Sequence, residues 1–467
     1  MIAHSPQFAV PARKLRAPSA FPLAQPAPVA AAFTDRVDVV HTVTFYMALS
    51  FVFIKFCFLQ EVLAWVLHVN TYILYIFALP AIVGMLLTGG LRRTMAARPA
   101  YYWVAFGLWT AIATPFSSWI GGSIGITRGF FEYNLIMLFV VAGLVVTWRQ
   151  CRILVASIGL AALINVMTAK LFASEAGGRF ELAFGSVSNA NDFAAHLLLT
   201  IPFLLLFFSN SKSVVLRVAA FLAFGFGMIT IFRTGSRGAM LALGIDILFI
   251  LWKGTSRQRI ALACLVPIVA IAIPVFVSGG VLNRLQSFST TQADADEGAV
   301  ESSNFRRYEL QKAVEYTFRF PLFGVGPGQF SNYEGGHTKF FGTHGAFHEV
   351  HNTFLQAFAE SGFPGGILLL MSWGSTFLLL HRVYRDAKKR PDCRDIQSTA
   401  FYIMLGTAGF CTAIFFLNFL YYYYGPVLAG MAISISRAAK YEFEHRKPVA
   451  AVAQDFRKPL AAAAQAY

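Results

Sequence analysis

The stretch HGAFHEVHNTFLQAFAESGFPGG, His344–Gly366, sets three histidines within eight residues and then runs into an apolar segment. A zincin would need H-E-x-x-H, with two ligands one helical turn apart. Here Glu349 follows His348, but Asn352 occupies the fourth position and His351 comes one residue early. A looser metal cage from His337, His344, His348 and His351 would need one continuous helix, and Gly335, Gly336, Gly342 and Gly345 interrupt it. No metal and no cofactor is expected. A nucleophilic serine in TGSRG, Thr234–Gly238, is disfavoured because Arg237 directly follows Ser236. The remaining chemistry is proton transfer by His351 at the mouth of a helix, since imidazole accepts protons near neutral pH. A lone histidine beside an apolar helix is more often structural. Against that, nearby arginines and a helix N-terminus would keep this ring neutral and able to act as a base.

The elements that must position it follow from composition. The 467 residues are 57% hydrophobic and only 13% charged, with mean hydropathy +0.58 and 47 phenylalanines. Soluble domains carry about 25% charged residues. Apolar runs of about 20 residues recur, and lipid offers an open backbone no partner, so each run is read as a helix. The expected fold is an all-α polytopic membrane protein of about twelve membrane helices. They are placed near 42–62, 71–90, 100–117, 131–148, 152–170, 190–208, 214–232, 238–252, 260–279, 354–381, 398–418 and 420–436. The expected organisation is a disordered cytoplasmic tail (1–41), helices one to nine (42–280), a long outer loop with short helices (281–353), helices ten to twelve (354–437) and a second cytoplasmic tail (438–467). The Pro- and Ala-rich start lacks the early apolar core of a signal peptide. The five cysteines mark no disulfide framework.

The net charge of +15 is read as topology rather than as nucleic-acid binding. With the N-terminus inside, every inner loop carries at least two Lys or Arg, both termini are cytoplasmic and the 281–350 insertion faces out. Arg179, Arg233, Arg237, Arg306 and Arg307 then share the outer face with His351. Guanidinium groups grip phosphate in two places and stay charged when partly desolvated. For Arg128 or Arg233 alone, snorkelling to headgroups is the better explanation of the position. Arg237 is flanked by Gly235 and Gly238, which let backbone approach a ligand.

These residues carry a resemblance. HNTFLQAFAESGFPGG resembles the signature of the bacterial O-antigen ligase and O-antigen polymerase superfamily, with His351, Asn352, Gly362 and Gly365 in register. The chain has Gly366 where that family usually has Thr or Val, a difference that touches helix packing. FRRYELQKAVEYTFRFPLFGVGPGQF, Phe305–Phe330, is similar to the family's outer-loop segment. Arg307 fits its arginine best, Arg306 is the rival, and Gln311 stands where Trp is common. RTGSRGAML supplies Arg237, and the block Gly178–Leu205 supplies Asn191 and Pro202. The resemblance spans roughly residues 175–380.

It implies a GT-C-like, metal-independent glycosyltransferase of the bacterial inner membrane, with its site facing the periplasm. The donor would be a glycan on undecaprenyl diphosphate. The acceptor would be lipid A–core in a ligase, or another lipid-linked glycan in an O-antigen or exopolysaccharide polymerase. A chain-length regulator would be a partner. In that reading His351 is the base. Arg237 and Arg307, or Arg306, hold the diphosphate with Arg179 as a third contact, and Asn352 and Asn191 support them. In the outer loop acidic residues outnumber basic ones, which tilts the acceptor away from the strongly anionic lipid A–core. The rival class is a transporter or flippase of lipid-linked glycans, for which internal repeats would be expected. Asp246, an intramembrane carboxylate, needs a partner. The run Tyr421–Tyr424 is expected to stack on sugar rings or form an interfacial belt.

Overall fold

Long apolar runs without a polar partner for the backbone become helices, and each of the twelve expected segments is helical. The computed structural model describes residues 39–176, 179–182, 184–281, 297–337 and 347–446. The expected tails, apart from residues 39–41 and 438–446, lie outside them. The helices are α1 Val39–Phe56, α2 Leu59–Leu67, α3 Ile73–Leu87, α4 Gly90–Thr94, α5 Arg98–Ala113 and α6 Ile120–Leu144. There follow α7 Trp148–Phe172, the hairpin β1 Ala173–Ala176 and β2 Arg179–Leu182, α8 Ala190–Asn210, α9 Val214–Arg233, α10 Arg237–Lys253 and α11 Ser256–Phe276. The polar insertion contains α12 Glu297–Arg319 and α13 Phe330–His337, and α14 Thr353–Lys388, α15 Arg394–Ala413 and α16 Tyr424–His445 follow. Among the described residues eight helices are long and apolar enough to cross a membrane. The protein is an all-α polytopic membrane protein. The fourth expected segment, 131–148, begins earlier than read, at Ile120, because glycines dilute its apolar signal and a π-helical turn at Phe130–Leu135 breaks its period.

The basic helix ends meet one another at one end of the bundle. Arg93 Nε donates to Gly143 O at 2.9 Å, and Arg437 Nη2 donates to Ala142 O and Val145 O at 2.8 Å. These bonds satisfy the orphaned carbonyls that close α6 and set positive charge against its negative pole. Arg446 bridges Asp395 and Glu442 nearby, and Trp148 Nε1 donates to the same Asp395. Asp246, buried on α10, packs closely against Gly409 on α15, and among the described residues its Oδ1 receives no hydrogen bond.

At the opposite end α14 is broken. Gly362 has φ +67 and ψ −174, and Pro364 has no N–H to give. The carbonyls this frees are taken by other elements. Val325 N–H donates to Ala359 O at 2.9 Å, Gly326 N–H to Glu360 O at 3.1 Å, and Trp109 Nε1 to Ser361 O at 2.8 Å. Phe363 N–H returns to Pro321 O at 2.8 Å. The segment PLFGVGPGQ is therefore the other half of the break. Gly324 belongs there because any Cβ would stand 2.3 Å from the Glu360 carbonyl carbon. The fully buried Glu360 carboxylate finishes the joint, accepting from Gly328 N–H and Tyr421 OH at 2.8 Å and from Gln356 Nε2 at 3.1 Å. Tyr423 and Tyr424 are buried, and Tyr424 OH lies 2.8 Å from His196 Nδ1. The second half of the tyrosine run thus packs inside the bundle, while Tyr421 and Tyr422 are half-buried.

A Cβ on Gly362 would meet Leu322 O at 2.3 Å in a backbone conformation that side chains avoid. Gly362→Ala is expected to destabilise the protein by at least about 1–3 kcal/mol, read as a lower Tm of the purified protein in detergent. An unchanged Tm would mean the two segments are not joined in this way.

Candidate functional site

His351 lies just before α14. Asn352 caps that helix, its Oδ1 accepting Leu355 N–H at 2.9 Å. Thr353 Oγ1 donates to Leu417 O at 2.7 Å and accepts Phe419 N–H at 2.8 Å, which ties the helix start to the segment before α16. The imidazole is therefore presented by a fixed backbone. Its Nδ1 lies 2.8 Å from Glu309 Oε2 on α12. The Glu309 side chain is 5% exposed and the His351 side chain 32%. A carboxylate only accepts, so Nδ1 carries the hydrogen, and in the neutral ring Nε2 keeps its lone pair. This is the arrangement in which a carboxylate fixes both tautomer and ring orientation of a base.

α12 brings Glu309 here through two anchors. Ala313 and Tyr316, on the same helical face, pack into a small core with Val325, Phe330, Val350 and Ala359. Tyr308 OH donates to Glu334 Oε1 on α13 at 2.5 Å, and Tyr316 OH bonds the other oxygen of that buried carboxylate. Burial and this carboxylate push the Tyr316 phenol up, so it remains a donor. Arg306 is three residues before Glu309 and shares its face, whereas Arg307 is exposed on the other side of the helix.

Around this pair stand residues from the middle of the chain. Asp192, in the first turn of α8, lies within electrostatic reach of both His351 and Arg306. Next to it Asn191 Oδ1 accepts Arg179 Nη2 at 2.8 Å, while Arg179 Nε donates to Thr234 O at 2.9 Å. Arg179, at the start of β2, thus clamps α8 to the turn ahead of α10. Ser236 caps α10, with its Oγ accepting Ala239 N–H, and Arg237 is its first residue. Gly238 packs against the Phe416 ring, one residue from the Leu417 carbonyl that holds Thr353. Arg237 and His351 therefore stand at the same end of the bundle. Arg233 instead rests its guanidinium 4.5 Å above the Phe180 ring.

Of the sequence-read site residues, the structure sets His351, Asn352, Arg306, Arg179, Asn191 and Arg237 at this end and leaves Arg307 facing outward. Among the histidines of the considered metal cage, His344 lies outside the described residues. His348 is exposed, with its ring 5.4 Å from that of Phe305. Glu309, Asp192 and Glu349 were not read as site residues. Glu309 carries one signal, its three-residue spacing from Arg306 on an amphipathic helix, but its histidine is 42 positions away in sequence.

Residues 219–370 match the family model described as O-antigen ligase. This match supports the O-antigen ligase/polymerase superfamily. The O-antigen ligase domain takes in Arg237, the Phe305–Phe330 block, the broken helix and His351, while Arg179 and Asn191 fall before it. The match supports glycan transfer of the O-antigen ligase type. No curated protein matches the chain.

Glu309→Gln removes the acceptor-only partner of Nδ1. Nitrogen-15 NMR of histidine-labelled protein is expected to show His351 in one Nδ1–H tautomer in the native chain and in a mixture in the variant. A single unchanged tautomer in both would remove Glu309 as the orienting group.

Proposed function

We propose that this protein is a metal-independent, inverting glycosyltransferase acting at the periplasmic face of the bacterial inner membrane. It would move a glycan from undecaprenyl diphosphate to an acceptor hydroxyl. The observation that carries the reading is the His351–Glu309 pair, a half-exposed imidazole whose inner nitrogen is held by a buried carboxylate. The acceptor O–H gives its proton to His351 Nε2 as its oxygen attacks the anomeric carbon from the face opposite the diphosphate. The new C–O bond forms, the bond from carbon to phosphate oxygen breaks, and its electron pair leaves on the diphosphate. Glu309 stabilises the imidazolium that results. Arg237 and Arg306 offset the charge gathering on the leaving group. Arg306 is preferred to Arg307 because it shares the Glu309 face. Arg179, already bonded to Asn191 and Thr234, positions the α8 turn and the α10 start on either side of it. The positive-inside distribution supports the outward placement of this end and cytoplasmic termini.

Between acceptors, the carboxylates of Asp192, Glu309 and Glu349 around the ring favour a polymerase reading, with a lipid-linked glycan rather than the anionic lipid A–core as acceptor. Purified protein is expected to consume a lipid-diphosphate glycan without any ion gradient, which a transporter would not do. His351→Ala should abolish most turnover while leaving donor binding intact. Near-normal turnover in that variant would overturn the base assignment. Arg237→Ala and Arg306→Ala should each cost on the order of 10²–10³ in rate, and Arg307→Ala far less. Equal losses at Arg306 and Arg307 would remove the choice between them.

A further inference from the structure

Four glutamates with sealed carboxylate oxygens crowd the outer end of the bundle, and three have a defined partner. Glu309 holds His351, Glu334 takes the hydroxyls of Tyr308 and Tyr316, and Glu360 accepts from Gly328, Tyr421 and Gln356. Glu349 differs. Half-buried beside Val350 of the small core, it keeps its Oε2 sealed from solvent, and among the described residues that oxygen receives no hydrogen bond. A sealed carboxylate oxygen without a donor is costly to keep charged.

The charged and titratable groups facing it are His351 on its own segment, Glu309 on α12, Glu360 on α14 and Tyr422 in the segment before α16. Asp192 on α8 faces the same His351 and Tyr422, and Arg306 faces Asp192. Burial pushes the Glu349 carboxyl up, His351 opposes this, and Glu309 adds to it. A diphosphate arriving at the arginines adds negative charge to the same field and favours the neutral acid further.

We propose that Glu349 is the proton-carrying group of the donor site, binding a proton when an anionic diphosphate binds and releasing it when the site empties. This rests on the diphosphate reading given above. The co-reactant is a proton from solvent, and no covalent bond other than its O–H is made or broken. The sign follows directly. Glu349 is neutral below its raised pKa and charged above it, so donor affinity is highest on the acid side. Affinity falls as pH rises through the ionisation, with Kd increasing by up to about tenfold per pH unit. Thermodynamic reciprocity requires the bound anion to strengthen proton binding by the same factor.

The test is calorimetry of full-length protein in detergent with farnesyl diphosphate as probe, in buffers of different ionisation enthalpy. The native chain is expected to take up to about one proton per diphosphate bound. Glu349→Gln should lose this uptake and the alkaline rise in Kd, while Glu349→Asp should keep both. His351→Asn should keep the uptake as well. Uptake that persists in Glu349→Gln, or that disappears in His351→Asn instead, overturns the proposal while leaving the site reading standing. Failure of the native chain to bind farnesyl diphosphate at all would instead overturn the reading of the site as a diphosphate site.

Discussion

A broken helix at membrane depth is tolerated only where protein replaces the hydrogen bonds it loses. That constraint organises the end of the bundle that carries His351. The break at Gly362 leaves the carbonyls of Ala359, Glu360 and Ser361 without helical partners, and the glycine-rich segment Pro321–Gln329 and Trp109 supply the donors. Two stretches that look like separate motifs are therefore one joint. Because α12 leads into that segment and His351 leads into α14, fixing the joint also fixes Glu309 against the imidazole.

The two ends of the bundle use charge differently. At the basic end, arginines close helix termini and pair with acids, so their charges are spent on backbone carbonyls and on ion pairs. At the other end, carboxylates stand around one half-exposed ring with Arg306 facing Asp192; Glu309 is buried, and Asp192 and Glu349 are half-buried. Mixed charge of this kind lets a polyanion and a proton be bound at neighbouring points. A uniformly basic pocket would hold the anion but would lower the ring's affinity for a proton.

Much of this was legible in the amino-acid order. The apolar runs gave every long apolar helix, because a membrane leaves the backbone no alternative, whereas the 23-residue α12 lies in a polar stretch. The boundary at Ile120 was missed because Gly121, Gly122, Gly125 and Gly129 dilute the apolar signal there. His351 and the arginines stood out because polar residues are few in such a chain. Glu309 did not, since in a polar insertion an acid is unremarkable until its partner is known. The tyrosine run was read as surface because aromatic residues near helix ends usually are, yet specific partners in His196 and Glu360 draw it inward.

The sequence by itself determined that the chain is a helical membrane protein, which segments are helices, and which rare polar groups are candidates for chemistry. Those follow from local composition against a uniform apolar solvent. Only the tertiary structure decided that Arg306 is half-buried while Arg307 is exposed, that Glu309 holds the histidine, and that Glu349 Oε2 finds no donor among the described residues. Each of these depends on which helix face meets which neighbour across tens to hundreds of residues, and side-chain partnership at that range is set by packing, not by order along the chain.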